Sequence, residues 1–222
     1  MGENSMIDLH MHSLFSDGEL LASELVRRAE IIGCQAVAIT DHADSSNLDW
    51  IIPRIVRVCE DLSGHGKILA VPGIELTHLP PDMIGPLATE ARARGAKVVV
   101  VHGETPVEPV RPGTNRKAIE AGVDILAHPG LISEEEVILA RERGVCLEIT
   151  SRKGHSLANG HVARLGRALG ASLVLNTDCH SPEDLISGEM ALKVVLGAGL
   201  ERDDFERMQE NSRQILSRVT GR

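Results

Sequence analysis

The sequence predicts a closed or nearly closed parallel β/α barrel of seven units with one extra C-terminal helix, and three observations carry that reading. Seven short aliphatic runs recur along the chain, separated by segments of helical periodicity, the alternation a parallel sheet requires. The runs are β-branched and nearly continuous, as strands buried on both faces should be. They also end, one after another, on a histidine or a carboxylate: His10 and His12, His42, Glu75, His102, His128, Glu148, then Asp178 and His180. A parallel barrel gathers the C-terminal ends of its strands at one face, so ligands scattered over the sequence become neighbours around one pocket. An open doubly wound sheet is disfavoured, because side chains from seven strands could hardly converge on its single switch point.

The first run opens at Met6 and closes in Asp8-Leu9-His10-Met11-His12, where the spacing of two aims both imidazoles to one side of a strand. Residues 20–32 then show apolar positions at Leu21, Leu25, Ala29 and Ile32, with Gly33 as a C-terminal stop. The second run, 36–40, leads through Asp41 to His42, after which the regularity breaks modestly over 48–66. The third, 68–74, meets Glu75 and precedes a helix over 82–94 that stops at Gly95. The fourth, 97–101, meets His102 before a helix over 115–121 and Gly122; the fifth, 124–127, meets His128 before a helix over 134–143 and Gly144. The sixth, 145–149, carries Glu148 and is followed by a helix over 158–169 that stops at Gly170. The seventh, 172–176, runs into Asp178-Cys179-His180, which repeats the spacing of two with Cys179 aimed away, and a helix over 182–196 closes the unit. A last helix over 203–219, with Phe205, Met208, Ile215, Leu216 and Val219 as its stripe, is expected outside the barrel.

At 222 residues the chain fits one domain, expected over residues 6–222 with 1–5 as an N-terminal extension. Only Phe15, Trp50 and Phe205 are aromatic, so the core must be built from Val, Ile, Leu and Ala. With no aromatic platform for bases and 23 basic against 32 acidic residues, no nucleic-acid-binding surface is evident. A small anionic substrate is not excluded, since three divalent cations would add about six positive charges to a pocket. Cys34, Cys59, Cys146 and Cys179 show no C-x-x-C spacing and read as reduced buried thiols. Neither a signal-peptide pattern at 1–5 nor a membrane-length apolar window is visible, which leads us to expect a cytoplasmic protein. The oligomeric state is left open.

Imidazole and carboxylate in this number suit zinc, manganese or iron, and no cysteine is needed. The residues are weighed against plainer roles. His10 and His12 could be core histidines satisfied by hydrogen bonds, but the constellation favours ligation. Asp17, in Ser16-Asp17-Gly18, suits a helix cap as well as a ligand. Asp41 alternates away from His42 and reads as a partner behind a ligating imidazole; Glu148 reads either as a supporting carboxylate or as a direct participant. The basic loop Thr150-Ser151-Arg152-Lys153-Gly154-His155 lies on the metal-bearing face, so Arg152, Lys153 or His155 would meet a phosphate there, and Arg116 is a further candidate. His65 and His161 read as structural residues, and His78 as a rim residue at most.

Taken together, Asp8-Leu9-His10-Met11-His12-Ser13 with Ser16-Asp17-Gly18, Ile39-Thr40-Asp41-His42, Pro72-Gly73-Ile74-Glu75, His102, Ala127-His128-Pro129, Glu148-Ile149 and Asn176-Thr177-Asp178-Cys179-His180 resemble the polymerase and histidinol phosphatase (PHP) family. The resemblance covers residues 6–180 in order. It implies a distorted seven-stranded TIM-like barrel that holds three divalent metals, zinc, manganese or iron, and hydrolyses phosphoesters. By similarity, one metal would take His10, His12, Glu75 and Asp178, a second Glu75, His102 and His128, and a third Asp17, His42 and His180; some relatives have His at the position of Asp17. Glu75, Asp178 and His180 would then stand at the catalytic core. The expected activity is hydrolysis of a small phosphorylated metabolite, histidinol-phosphatase-like, by a metal-bridging hydroxide attacking phosphorus in line; no residue is singled out as the acid. An amidohydrolase-type enzyme and a non-enzymatic metal-binding regulatory barrel are the alternatives. The former commonly needs a bridging carbamylated lysine, and Lys97 lies at the wrong end of the fourth strand.

Overall fold

The computed structural model describes residues 6–221, so the expected extension at 1–5 lies outside the described residues. Its strands are β1 (Met6–Met11), β2 (Cys34–Ile39), β3 (His42–Ala43), β4 (Leu69–Leu76), β5 (Val98–His102), β6 (Ile125–Ala127), β7 (Cys146–Thr150) and β8 (Leu173–Asn176). The helices are α1 (Ala22–Ile31), α2 (Leu48–His65), α3 (Ile84–Ala93), α4 (Thr114–Glu120), α5 (Glu134–Arg143), α6 (Asn159–Leu169), α7 (Gly188–Gly197) and α8 (Arg202–Thr220). The sheet runs β1-β2-β4-β5-β6-β7-β8, all parallel, with β3 paired to β4. Since Ile39 faces Pro72 and His42 faces Glu75, β3 continues β2 in unchanged register after a kink at Thr40-Asp41. The result is a nearly closed barrel of seven parallel strands with helices outside.

Closure between β1 and the end of β8 is partial. Asp178 N–H donates to the His10 carbonyl (3.0 Å) and His12 N–H to the Cys179 carbonyl (2.8 Å). Lower down, side chains replace the ladder: Leu9 N–H donates to Asn176 Oδ1 and Ile7 N–H to Gln209 Oε1 of α8, both at 2.8 Å. Asp8 accepts from the Thr177 N–H and hydroxyl. Helix α8 therefore lies along the seam. Its stripe is divided: Phe205 and Met208 join the outer core, while Ile215 and Leu216 join Ile7, Leu9, Ala36, Val98, Ile125 and Val174 inside the barrel. The helix packs on β8 and β1 from outside the strands, as expected, and its last apolar residues also stop the unclosed seam.

The 18-residue helix α2 fills the stretch where the sequence showed only a break in regularity. Leu48, Ile51, Ile52, Ile55 and Cys59 form its buried stripe, and Pro53 sits inside it. An interior proline removes one ladder hydrogen bond and hides the helical pattern from a propensity reading, but five buried side chains hold the segment.

Parity explains how the strands aim their last residues. Interior positions in β2 and β3 are Ala36, Ala38 and then His42; in β4, Val71 and then Glu75; in β5, Val98, Val100 and His102; in β7, Cys146 and Glu148; around β8, Val174, Asn176 and Asp178. Each ligand candidate extends the every-second-residue rhythm of the core. Two strands need a device. In β1 the pairs Asp8 with Val37 and Met11 with Ile39 enclose one extra residue, a bulge that turns His10 and His12 inward although Ile7 and Leu9 below them also face in. After β6, His128 adopts φ 27°, which swings its imidazole inward beyond Ala127.

Candidate metal centre

The inward-facing residues form one crowded cluster. His10, His12 and Glu75 are completely buried, with His102, His128 and Asp178 nearly so. Glu75 lies between three imidazoles, Oε1 at 3.3 Å from His10 Nε2, and Oε2 at 3.5 Å from His12 Nε2 and 2.7 Å from His42 Nδ1. Asp178 Oδ1 is 3.2 Å from His12 Nε2 and 3.6 Å from His10 Nε2, and its Oδ2 is 3.6 Å from His128 Nε2. Asp17, more exposed at the rim, places Oδ1 at 3.3 Å from His180 Nε2 and 3.6 Å from His42 Nε2. The structure thus brings together all nine residues expected as ligands. Donor atoms within 4.8 Å of one another make up the sets His10, His12, Glu75; His10, His128, Asp178; His12, Asp17, His42, His180; and His102, His128, His155.

Two backbone features serve this arrangement. His128 and Asp178 both have positive φ, 27° and 53°, conformations that cost on the order of 1–3 kcal/mol and gather at functional sites. Gly18 lies so near His12 that a Cβ there would be 2.5 Å from the His12 carbonyl oxygen, so only glycine lets the Asp17 turn pass.

Supporting residues fix the ligands. Glu148 pairs with His10 Nδ1 at 2.9 Å and accepts from Asn176 Nδ2 and the His128 N–H, holding one ring and one backbone. Asp41 differs from expectation: it accepts from the N–H and hydroxyl groups of both Ser13 and Ser16, so it ties down the turn that carries Asp17 and touches no imidazole.

The electrostatics are those of carboxylates and imidazoles packed together out of water. Burial opposes charge on His10, but Glu148, Glu75 and Asp178 outweigh it and hold its pKa well above the usual imidazole value. Burial and the neighbouring imidazoles, His42 for His12 and His102 for His128, push those two far below it, keeping them neutral with free lone pairs. Burial raises Asp178 to about 7. Glu75 stays well below the usual carboxylate range, because His10 and His42 overcome its burial.

Eight buried side-chain atoms here lack any hydrogen-bond partner: His10 Nε2, both nitrogens of His12 and of His128, His102 Nδ1, and both oxygens of Glu75. At roughly 1–3 kcal/mol for each orphan, the sum rivals the whole net stability of a domain. Divalent cations would satisfy such atoms at once, so the donor set fits metal.

A cavity of about 290 Å³ opens above the cluster, lined among others by Asp17, His42, His102, Arg152, Asp178 and His180. Arg152 and His155 line it, whereas Lys153 and Arg116 do not. Arg116 is exposed on α4 and paired with Glu120. His78 and Glu108 also reach the lining. Glu108 was not singled out in the sequence, although a carboxylate in a long loop after a ligand-bearing strand is a usable signal on a barrel's C-terminal face. His65 and His161 hydrogen-bond to backbone carbonyls, of Asp61 and Ile132. The four cysteines are buried and unpaired, and no helix among the described residues is long and apolar enough to cross a membrane.

A sequence model described as the PHP domain matches residues 8–144. An uncharacterized protein of Methanocaldococcus jannaschii is 47% identical over 215 residues, spanning 96% of this chain and 99% of its own length. A probable phosphatase of Shewanella frigidimarina is 28% identical, spanning 98% of this chain and 94% of its own. Among solved structures, histidinol phosphate phosphatase from Lactococcus lactis, complexed with zinc, L-histidinol and phosphate, superposes with a TM-score of 0.60 at 17% identity, over 88% of this chain and 94% of that one. A chain of archaeal ribonuclease P with mature tRNA superposes with a TM-score of 0.75 at 15% identity, over 97% and 92%. At such identities these likenesses show the barrel alone.

Proposed function

The chain belongs to the PHP domain family and is a metal-dependent hydrolase, and from that premise we propose that it hydrolyses the phosphoester of a small phosphorylated metabolite. The observation that carries the proposal is the convergence of eight orphaned imidazole and carboxylate atoms beneath a small polar cavity. His10, His12, Glu75 and Asp178 would hold one cation, His102 and His128 a second with Glu75 between the two, and Asp17, His42 and His180 a third; zinc, manganese and iron all suit these donors. When bound, such cations lower the pKa of water and neutralise charge growing on phosphoryl oxygens.

The chain's own residues supply position and exclusion. Glu148 fixes the His10 ring, Asp41 fixes the turn bearing Asp17, and the buried floor keeps bulk water from the cluster. Arg152 lines the cavity with Nη1 anchored on Asp184 at 2.7 Å, which leaves donors on the other side of its guanidinium for phosphoryl oxygens. The cavity size suits a compact phosphomonoester. The amidohydrolase alternative lacks its lysine: Glu75 occupies the place among His10, His12 and His42, and Lys97 is exposed beyond the opposite end of β5.

Metal analysis of the chain purified without chelator, joined to phosphate release from a panel of phosphomonoesters and diesters with added manganese or zinc, tests the proposal. Two or three metals per chain with turnover is the expected result; metal without turnover would remove the phosphoesterase reading. In Glu75→Ala, metal and activity should be lost together while the circular dichroism spectrum persists.

A further inference from the structure

Loop 103–113 carries over the cavity a carboxylate that the nine expected ligands leave out. The loop is clasped at its ends. Glu104 Oε1 accepts from the N–H groups of Gly113 and Asn115, and Asn115 Oδ1 accepts from the Glu104 N–H, each at 2.9 Å. Asn115 Nδ2 also donates to the Pro129 carbonyl at 2.9 Å. Gly103 is pressed against the Ala127 carbonyl oxygen, where a Cβ would collide, and Val107 packs on Gly154. Held in this way, Glu108 reaches two imidazoles, Oε2 at 3.2 Å from His102 Nε2 and Oε1 at 3.4 Å from His155 Nε2. His78 Nε2 stands 3.0 Å from Oε2.

His155 has the bonding pattern of a ligand. It is 7% exposed, and its Nδ1 is engaged by the Thr105 hydroxyl at 2.7 Å, which leaves Nε2 facing the cluster, 3.9 Å from Asp178 Oδ2. A metal-ligating imidazole almost always has its second nitrogen fixed by such a partner. His10 shows the pattern through Glu148, and His180 through the Asp178 carbonyl. The donor atoms of His155, His102 and His128 lie within 4.8 Å of one another. Zinc bonds of 2.0–2.1 Å in a tetrahedron place neighbouring donors about 3.3 Å apart, close to the separations of Glu108 from His102 and His155. By contrast, Glu75 comes no nearer to His128 than 3.8 Å.

We propose that His155 and Glu108 complete the coordination of the second cation, making a His102, His128 and His155 set closed by the Glu108 carboxylate, with His78 bonded behind that carboxylate. The assignment rests on reading the cluster as a metal centre. Three imidazoles with one carboxylate favour a borderline cation such as zinc. Glu75 keeps its place between this cation and the one on His10 and His12.

The test uses the full chain, stripped with chelator and titrated with zinc against a chromophoric competitor, then with cobalt(II) followed by visible absorption. His155→Gln and Glu108→Gln are expected each to lose one equivalent, or to bind it about 100-fold more weakly, with an altered cobalt spectrum and an unchanged circular dichroism spectrum. Lys193→Ala, exposed on α7 and paired with Glu189, should keep every equivalent. Glu108 is 37% exposed, so its amide variant gives a folded readout even if His155→Gln does not. Wild-type uptake with unchanged stoichiometry and affinities in both variants would overturn this assignment alone. A wild-type chain that takes up no cation would overturn the metal-centre reading and this assignment with it.

Discussion

His42 shows how much a single residue here depends on what stands beside it. Burial opposes its charge, yet Glu75 at 2.7 Å and then Asp17 outweigh burial and raise its pKa to about 9 in the cation-free chain. A folded value above the unfolded 6.5 means that protonated His42 contributes stability fully present below pH 6.5 and lost as the pH rises through 9. A cation beside Asp17 and His180 needs neutral His42, so apparent affinity at this position should climb about tenfold per pH unit between 7 and 9 for the one proton released. Competition titrations at pH 7, 8 and 9 check this, and a flat profile would contradict it. Glu148→Gln keeps the shape behind His10 but removes the charge; cation affinity is expected to fall about 10–100-fold with the fold retained, measured by the same titration. At this scale the sequence was a good guide to which residues meet in the cluster, because nearly every imidazole or carboxylate there sits at the end of an apolar run. It was a poor guide to their supports: Asp41 bonds serines instead of an imidazole, and Glu108 lies six residues beyond its strand.

Among the elements, strands were legible and the exceptions to their rhythm were not. Seven aliphatic runs are enough to announce a parallel barrel, whereas the bulge in β1 and the left-handed turn at His128 leave no mark in hydrophobic pattern. Yet those two irregularities decide whether three of the histidines face the pocket or the outer helices. Helix α2 was obscured for the opposite reason: its Pro53 argues locally against a helix that tertiary burial of Ile51, Ile52 and Ile55 maintains. Helix α5 was legible from its stop, Gly144, which takes φ 69°, and the structure adds a Ser133 and Glu136 capping box at its start.

Across the whole molecule, chemistry and stability occupy opposite ends of the barrel. The C-terminal ends of the strands hold strained backbone and most of the orphaned polar atoms, and the other end holds a largely apolar plug built by α8. Ile215, 2% exposed among the barrel's interior residues, belongs to that plug. Ile215→Ala should cost about 2–4 kcal/mol, read from the denaturation midpoint, with metal uptake unaltered because the change lies far from the ligands. A parallel loss of metal would show that the two ends are coupled.

The partial seam between β1 and β8 also sets an order of events in the life of the chain. His10 and His12 lie on the first strand of the sheet, but Asp178, Cys179 and Gln209, which fasten that strand, are made some 170 to 200 residues later. Contacts of such long separation form slowly; those of Asp178 and Cys179 await the end of β8, and that of Gln209 awaits α8. The imidazoles of His10 and His12 therefore wait unfastened until the far edge of the sheet is in place, and cation uptake at the full site is a late event in folding.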